Sequence, residues 1–291
     1  MAEQDWDIIS GVGRTALAVA AVRAIETHRA DRLIDDPHAE VLVRAADQGM
    51  AFPTTPEALA AIPDDERGWA ERIDHYVGVR SRVFDDFLLA AARSGVRQFV
   101  VLAAGLDARP YRLDWPGGTV VFELDQPKVL QFKRETLADV ELPCGYRPIG
   151  VDLREDWPAA LIGAGFDTAE PAAWLAEGLL PYLPAEAERR LLATITELSA
   201  PSSRVAVEEF GDTARIRDDP KIAEYGRKQG MDLDELLHAG GVPVTEVLDE
   251  LGWRAEAESS EDAAIRLGRD PGRAVGPMLD ISRFVTAVKP G

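Results

Sequence analysis

Four short apolar runs in this chain each end in residues suited to holding a polar ligand. Gln98-Phe99-Val100-Val101-Leu102 leads into Ala103-Ala104-Gly105-Leu106-Asp107, and Thr119-Val120-Val121-Phe122 into Glu123-Leu124-Asp125. Tyr146 to Val151 leads into Asp152-Leu153, and Ala173-Trp174-Leu175-Ala176 into Glu177-Gly178. Small residues after the first run let a backbone approach a ligand closely, and Gly105 accepts a positive φ if the turn needs one. Asp125 stands about 20 residues beyond Gly105, the spacing at which an acid accepts hydrogen bonds from ribose hydroxyls. Asp152 and Leu153 offer an acid for an adenine edge and an apolar side chain for its face. A pyrophosphate calls for backbone amides in a full G-x-G-x-x-G and few nearby carboxylates. Here Ala103 replaces the first glycine and Arg109 stands where the series would end, although Arg109 or Arg112 offers a phosphate partner. The acids suit an adenosine ligand carrying positive charge, such as S-adenosylmethionine. Its carboxylate needs a cation, which Arg80 or Arg82 supplies. These two lie about 200° apart around a helix, so only one faces the site. The competing reading is structural: acids at strand ends cap loops and helices, as Asp152 would for a helix over 155–162, and a buried Glu177 pairs with an arginine. Pairing of Asp107 with Arg109 or Arg112 is likewise expected to build the loop.

The elements that carry these residues follow from periodicity. Apolar positions predict helices over 12–30, 37–47 and 66–94, with a proline-bearing connector over 50–65 and Gly95 closing the third helix. From residue 98 the pattern becomes short apolar runs alternating with helices that start at Pro127, near 155 and near 185. A fifth run spans Ser203 to Phe210, a short helix Val244 to Leu251, and a last strand Arg283 to Val288. That alternation predicts a parallel sheet with helices on both faces, whose ligand sits outside the carboxyl ends of the strands. Residues 1–95 form a helical cap over one edge or over those strand ends, 96–291 the sheet-bearing core, and the charged, glycine-punctuated stretch 211–242 an insertion, all in one integrated domain.

Composition narrows the partners. The chain has 291 residues, 46% hydrophobic and 29% charged, with 32 basic against 51 acidic side chains and a net charge of −19. Such a surface repels phosphate backbones and anionic bilayers, so no nucleic acid or membrane partner is expected. No apolar stretch approaches the roughly 20 residues of a transmembrane helix. The opening MAEQDWDIIS lacks a secretory signal's basic start, and the lone Cys144 forms no internal disulfide, so a cytoplasmic protein is expected. Four histidines and one thiol predict no metal site.

The run QFVVLAAGLDARPYRLDWPGGTVVFELDQPKVLQFK (98–133) resembles the signature of the actinobacterial S-adenosylmethionine-dependent methyltransferases related to leucine carboxyl methyltransferase. SGVGRTALAVAAVRAIETHRADRLIDDPHAEVLV (10–43) is similar to that family's helical cap, and WLAEGLLPYLPAEAERRLL (174–192) to its fourth strand and following helix. The resemblance covers nearly the whole chain and weakens across 211–275. It implies a class I methyltransferase (Rossmann-like) fold: a seven-stranded, mostly parallel sheet with an antiparallel last strand. Matched by position, it implies that Ala103 and Gly105 lie against the methionine portion of the cofactor and that Arg80 holds its carboxylate. It further implies Asp125 on the ribose, Asp152 and Leu153 on the adenine, and Glu177 near the amino group. Ala103 departs from a frequent glycine, and Ala108 from the usual threonine.

The expected activity is O-methylation of a small molecule, a carboxylic acid or secondary metabolite. Tyr182 is a candidate for facing the acceptor and Arg215 for attracting an anionic one, with Arg217 beside it. No catalytic base is evident: an ionised carboxylate needs none, whereas a phenol or alcohol would require Glu177, His75 or Tyr182. Two alternatives are a nucleotide-binding oxidoreductase, which the acids at 123, 125, 152 and 177 disfavour, and a catalytically silent S-adenosylmethionine-binding protein.

Overall fold

The computed structural model describes residues 11–46, 52–211, 241–274 and 281–291, together with 213, 218, 224, 237 and 238. Helices α1 (Gly11–His28), α2 (Pro37–Ala46), α3 (Pro56–Ala60) and α4 (Asp64–Arg93) precede the sheet. Then follow β1 (Gln98–Leu102), α5 (Arg109–Arg112), β2 (Val120–Asp125), α6 (Pro127–Thr136), β3 (Gly145–Gly150), α7 (Trp157–Gly163) and β4 (Ala172–Ala176). A 3-10 turn (Leu180–Tyr182) leads to α8 (Ala185–Glu197) and β5 (Arg204–Phe210). The chain continues through α9 (Val244–Glu250), β6 (Arg254–Ser259), α10 (Ser260–Arg266), α11 (Pro271–Ala274) and β7 (Ser282–Val288).

The seven strands run in the order β3-β2-β1-β4-β5-β7-β6. Pairings from β3 through β5 are parallel, and β7 is antiparallel to both neighbours. The sheet is therefore the class I methyltransferase arrangement that the sequence led us to expect. Strand order reverses between β1 and β4, so their carboxyl ends open the crevice where α/β sheets take ligands.

Alternation along the strands divides the core. Val100, Leu102, Phe122, Leu124, Trp174 and Val205 face α7, α8 and α9, while Phe99, Val101, Val121, Leu175 and Phe284 face α4. Each such side chain, sealed from water, contributes roughly 1.5–3 kcal/mol of burial free energy. Helix α4 ends where glycine was expected to close it: Gly95 takes φ +101° and the Val96 amide reaches back to the Ala91 carbonyl at 3.2 Å.

Helix α1 lies against the carboxyl end of β1. Its Ala16 methyl lies 3.4 Å from where a Cβ on Gly105 would stand, so α1 covers the end of β1. Leu17 and Ala21 pack with Leu106, Tyr111 and Val129. Arg23 fastens the helix, donating to Asp36 at 2.9 Å and to the Leu106 carbonyl at 2.6 Å.

Besides the short α5, α11 and 3-10 turn, three further features differ from the sequence reading. The proline-bearing connector contains α3, whose N-cap Thr55 accepts from the Ala58 amide at 3.2 Å. Strand β6 and helix α10 occupy a stretch in which no element was expected. Finally, α7 is capped by Asp156, which accepts from the Ala159 amide at 3.2 Å, and not by Asp152. Most of 211–242 lies outside the described residues.

Candidate functional site

The turn after β1 is set by backbone conformation. Ala103 takes φ +51° and Gly105 φ +50°, the left-handed region that glycine enters freely and alanine only at a cost of about 1–2 kcal/mol. A Cβ on Gly105 would stand 3.4 Å from the Ala16 methyl, in ordinary contact, so the backbone conformation is what favours glycine here. The turn is held by the next strand: the Ala104 amide donates to the Leu124 carbonyl at 3.1 Å, and the Gly105 amide to the Asp125 carboxylate at 2.6 Å. The other Asp125 oxygen accepts from the Gln126 amide at 2.6 Å. Burial raises the Asp125 pKa against the lowering pull of these two amides.

Gln126 links this acid to the end of β3, donating through Nε2 to Asp152 at 3.1 Å. Asp152 is also gripped by Arg154 at 2.6 Å, and that pairing brings its pKa down to about 2. Leu153 is half-buried against the apolar cluster that contains Trp157 and Trp174.

A dense ionic network occupies the ends of β4 and β5. Glu177 lies 2.8 Å from Arg80 Nε and 2.7 Å from Arg109 Nη1. Although burial pushes the carboxyl upward, the two guanidiniums hold its pKa below the ordinary value. Arg80 also reaches Glu208 at 3.2 Å, and Arg109 reaches Asp85 at 2.6 Å and Asp107 at 2.5 Å. Glu208 in turn accepts from the Gly178 amide at 2.6 Å and from the Tyr76 hydroxyl. Gly178, at φ +63°, sits where a Cβ would stand 3.7 Å from Arg80.

Of the two rival arginines, Arg80 turns to the strand ends. Arg82 pairs with Asp86 at 3.0 Å and the Leu33 carbonyl at 3.3 Å. Asp107 pairs with Arg109, whereas Arg112 takes Asp85 through both oxygens at 2.6 and 2.8 Å. Glu123 is withdrawn from the site: it is fully buried against Lys133 at 2.7 Å and Tyr146 at 2.5 Å. Tyr182 hydrogen-bonds Thr15 of α1, and burial raises its pKa. Arg215 and Arg217 lie outside the described residues. Glu208, Tyr76 and Asp85 were not anticipated. The one available signal was Glu208-Glu209, two acids closing an apolar strand.

Among the described residues, no cluster of three His, Cys, Asp or Glu is set to hold a metal, and no helix is long and apolar enough to cross a membrane.

Residues 16–196 match the profile of the leucine carboxyl methyltransferase family. A Saccharopolyspora erythraea protein, provisionally named an S-adenosyl-L-methionine-dependent methyltransferase, is 48% identical over 266 residues, with 90% of each chain covered. A similarly named protein of Mycolicibacterium smegmatis is 47% identical over 264 residues, covering 89% of this chain and 88% of its own. Among solved structures, a provisionally named Thermobifida fusca methyltransferase shares the fold. It is 19% identical with a TM-score of 0.54, covering 95% of this chain and 94% of its own. Profile and relatives together span the capped turn, the acid-ended strands and the ionic network, and on that ground the chain belongs to the leucine carboxyl methyltransferase family.

Proposed function

We propose that this chain is an S-adenosylmethionine-dependent O-methyltransferase acting on a small carboxylic acid. The observation that carries the cofactor reading is the meeting of Gly105 and Asp125: a close-approach turn and a half-buried carboxylate share one spot, 2.6 Å apart. Ala103 and Gly105 border the methionine portion, Asp125 takes the ribose hydroxyls, and Asp152 and Leu153 take the adenine. Glu177 receives the amino group and Arg80 the carboxylate. When bound, S-adenosylmethionine supplies an electrophilic methyl on a cationic sulfur, and the acids at this end of the sheet suit that charge. The residues fit the group.

The acceptor class follows from the bases on offer. Two arginines hold Glu177 ionised and engaged. His75 is buried against Arg269, and burial raises Tyr182. This arrangement favours an acceptor that needs no base. A carboxylate is already ionised near neutral pH and needs none. The protein then contributes orientation and exclusion of water, and alignment of this kind is worth on the order of 7–11 kcal/mol in favourable cases. Tyr182, tied to the cap through Thr15, faces the acceptor side. A reducing, cytoplasmic setting fits the single cysteine.

Calorimetric titration with S-adenosylmethionine, S-adenosylhomocysteine and NAD, beside Asp125→Ala, tests the reading. The two adenosyl ligands bind at micromolar concentration and NAD does not. The variant loses about 100-fold or more in affinity, since hydrogen bonds to a charged group contribute about 1.5–3 kcal/mol each. Tight NAD binding, or an indifferent variant, defeats it.

A further inference from the structure

Asp152 is placed by the strands beside it. The Val151 amide donates to the Asp125 carbonyl at 2.9 Å, which holds the residues after β3 against the end of β2. Gln126 bridges the same two acids, with its backbone amide on Asp125 and its side chain on Asp152. Two residues on, Arg154 folds back over this second carboxylate. One Asp152 oxygen accepts from the Arg154 backbone amide at 2.8 Å and from its Nε at 2.9 Å. The other accepts from Arg154 Nη2 at 2.6 Å and from Gln126 Nε2 at 3.1 Å, with Nε shared at 3.1 Å. A carboxylate offers about four lone-pair sites, and here all of them are taken.

We propose that Arg154 sets the selectivity of the site for the amino group of adenine, because its guanidinium occupies the Asp152 oxygens that this amino group needs. This rests on the reading above, in which Asp152 takes the adenine, and adds the residue that governs that contact. A carboxylate with every acceptor site filled takes a further N–H only when a present donor leaves. The backbone amide of residue 154 is fixed by its turn, in which the Glu155 amide donates to the Asp152 carbonyl at 2.9 Å. Gln126 is half-buried, whereas the Arg154 side chain is 77% exposed. The guanidinium is therefore the donor that yields. Exposed ion pairs contribute little, so its release lowers the apparent affinity for adenine by about two- to fivefold and does not block binding. A purine with a carbonyl oxygen in place of the amino group accepts there and donates nothing to Asp152, so it leaves the pair with Arg154 standing.

The test is calorimetric titration of the full chain with S-adenosylhomocysteine and with S-inosylhomocysteine, in which that oxygen replaces the amino group. Arg154→Ala is expected to bind S-adenosylhomocysteine about two- to fivefold more tightly than the unaltered chain. Its affinity for S-inosylhomocysteine does not rise, so the preference for the amino group widens. Arg154→Lys, which keeps the charge without the planar fork, falls between. Asp152→Ala loses about tenfold or more for S-adenosylhomocysteine, and adding Arg154→Ala to it brings no gain.

Unchanged or weaker S-adenosylhomocysteine binding in Arg154→Ala, an equal gain for both ligands, or a gain that persists in the double variant overturns the assignment. If Asp152→Ala leaves S-adenosylhomocysteine affinity where it was, Asp152 does not take the adenine and the role of Arg154 falls, while the cofactor reading stands. Failure of S-adenosylhomocysteine to bind the unaltered chain is a separate result, which defeats the methyltransferase reading and the role of Arg154 with it.

Discussion

Gly105 carries two demands at once: a φ of +50° and an amide aimed at Asp125. Gly105→Ala is expected to lower stability by about 1–2 kcal/mol through left-handed strain, and to weaken adenosyl-ligand binding because the turn shifts. Urea denaturation beside calorimetry checks both effects; unchanged stability would remove the strain argument. Ala103 already bears comparable strain, and its small side chain is what the turn tolerates. How far single residues could be read from sequence depended on where they sit. Asp125, Asp152 and Glu177 stand at ends of apolar runs, where topology alone sends ligands. Asp85 and Tyr76 lie mid-helix with no local mark, because their partners are more than 20 residues away in the chain.

At the level of elements, α1 and α4 are joined by buried charge far from β1. Glu26 lies where a Cβ on Gly78 would stand 2.8 Å from its carboxyl carbon, so glycine permits the two helices to close up. Arg269, between α10 and α11, reaches Glu26 at 2.5 Å and Asp31 at 2.9 Å, while Arg29 reaches Asp74 at 3.1 Å. Burial pushes Glu26 up to about 7 and Asp74 up to about 6, against the pull of these arginines. A carboxyl whose folded pKa exceeds its unfolded one keeps its proton longer in the native state, so stability falls as pH rises between the two values. For Glu26 that window runs from 4.5 to about 7, with a ceiling of about 3 kcal/mol. Glu26→Gln, which mimics the protonated form, should flatten the decline between about pH 5 and 7 in urea titrations; an identical slope would discount the group. Strand legibility varied for a related reason. β1, β2 and β4 are buried on both faces and read as apolar runs. β6 is an edge strand, Arg-Ala-Glu-Ala-Glu-Ser, whose charges protect an open edge and hide it from a search for apolar residues.

Over the whole molecule, a net charge of −19 opposes the approach of an anionic acceptor. The Debye length is about 10 Å at 0.1 M salt, so moderate salt removes the long-range repulsion and leaves close contacts within the site largely intact. The KM for an acid substrate is therefore expected to fall severalfold as salt rises from about 10 to 150 mM, while cofactor affinity changes less. Steady-state kinetics across that range decide it, and a KM that rises with salt would refute the argument. The order of the sheet has another consequence. β7 is the last strand in the chain, yet it lies between β5 and β6 and bonds to both through registers from Arg204↔Val288 to Ser259↔Arg283. Until residue 288 has left the ribosome, β5 and β6 each present an unpaired edge, and the strand that separates them does not exist. Translation at about 5–20 residues per second makes this a long exposure, with the first five strands formed and the sheet still split. The sheet thus closes only once Ser282–Val288 are available, and a chain lacking β7 reaches the cell's proteases with its sheet open.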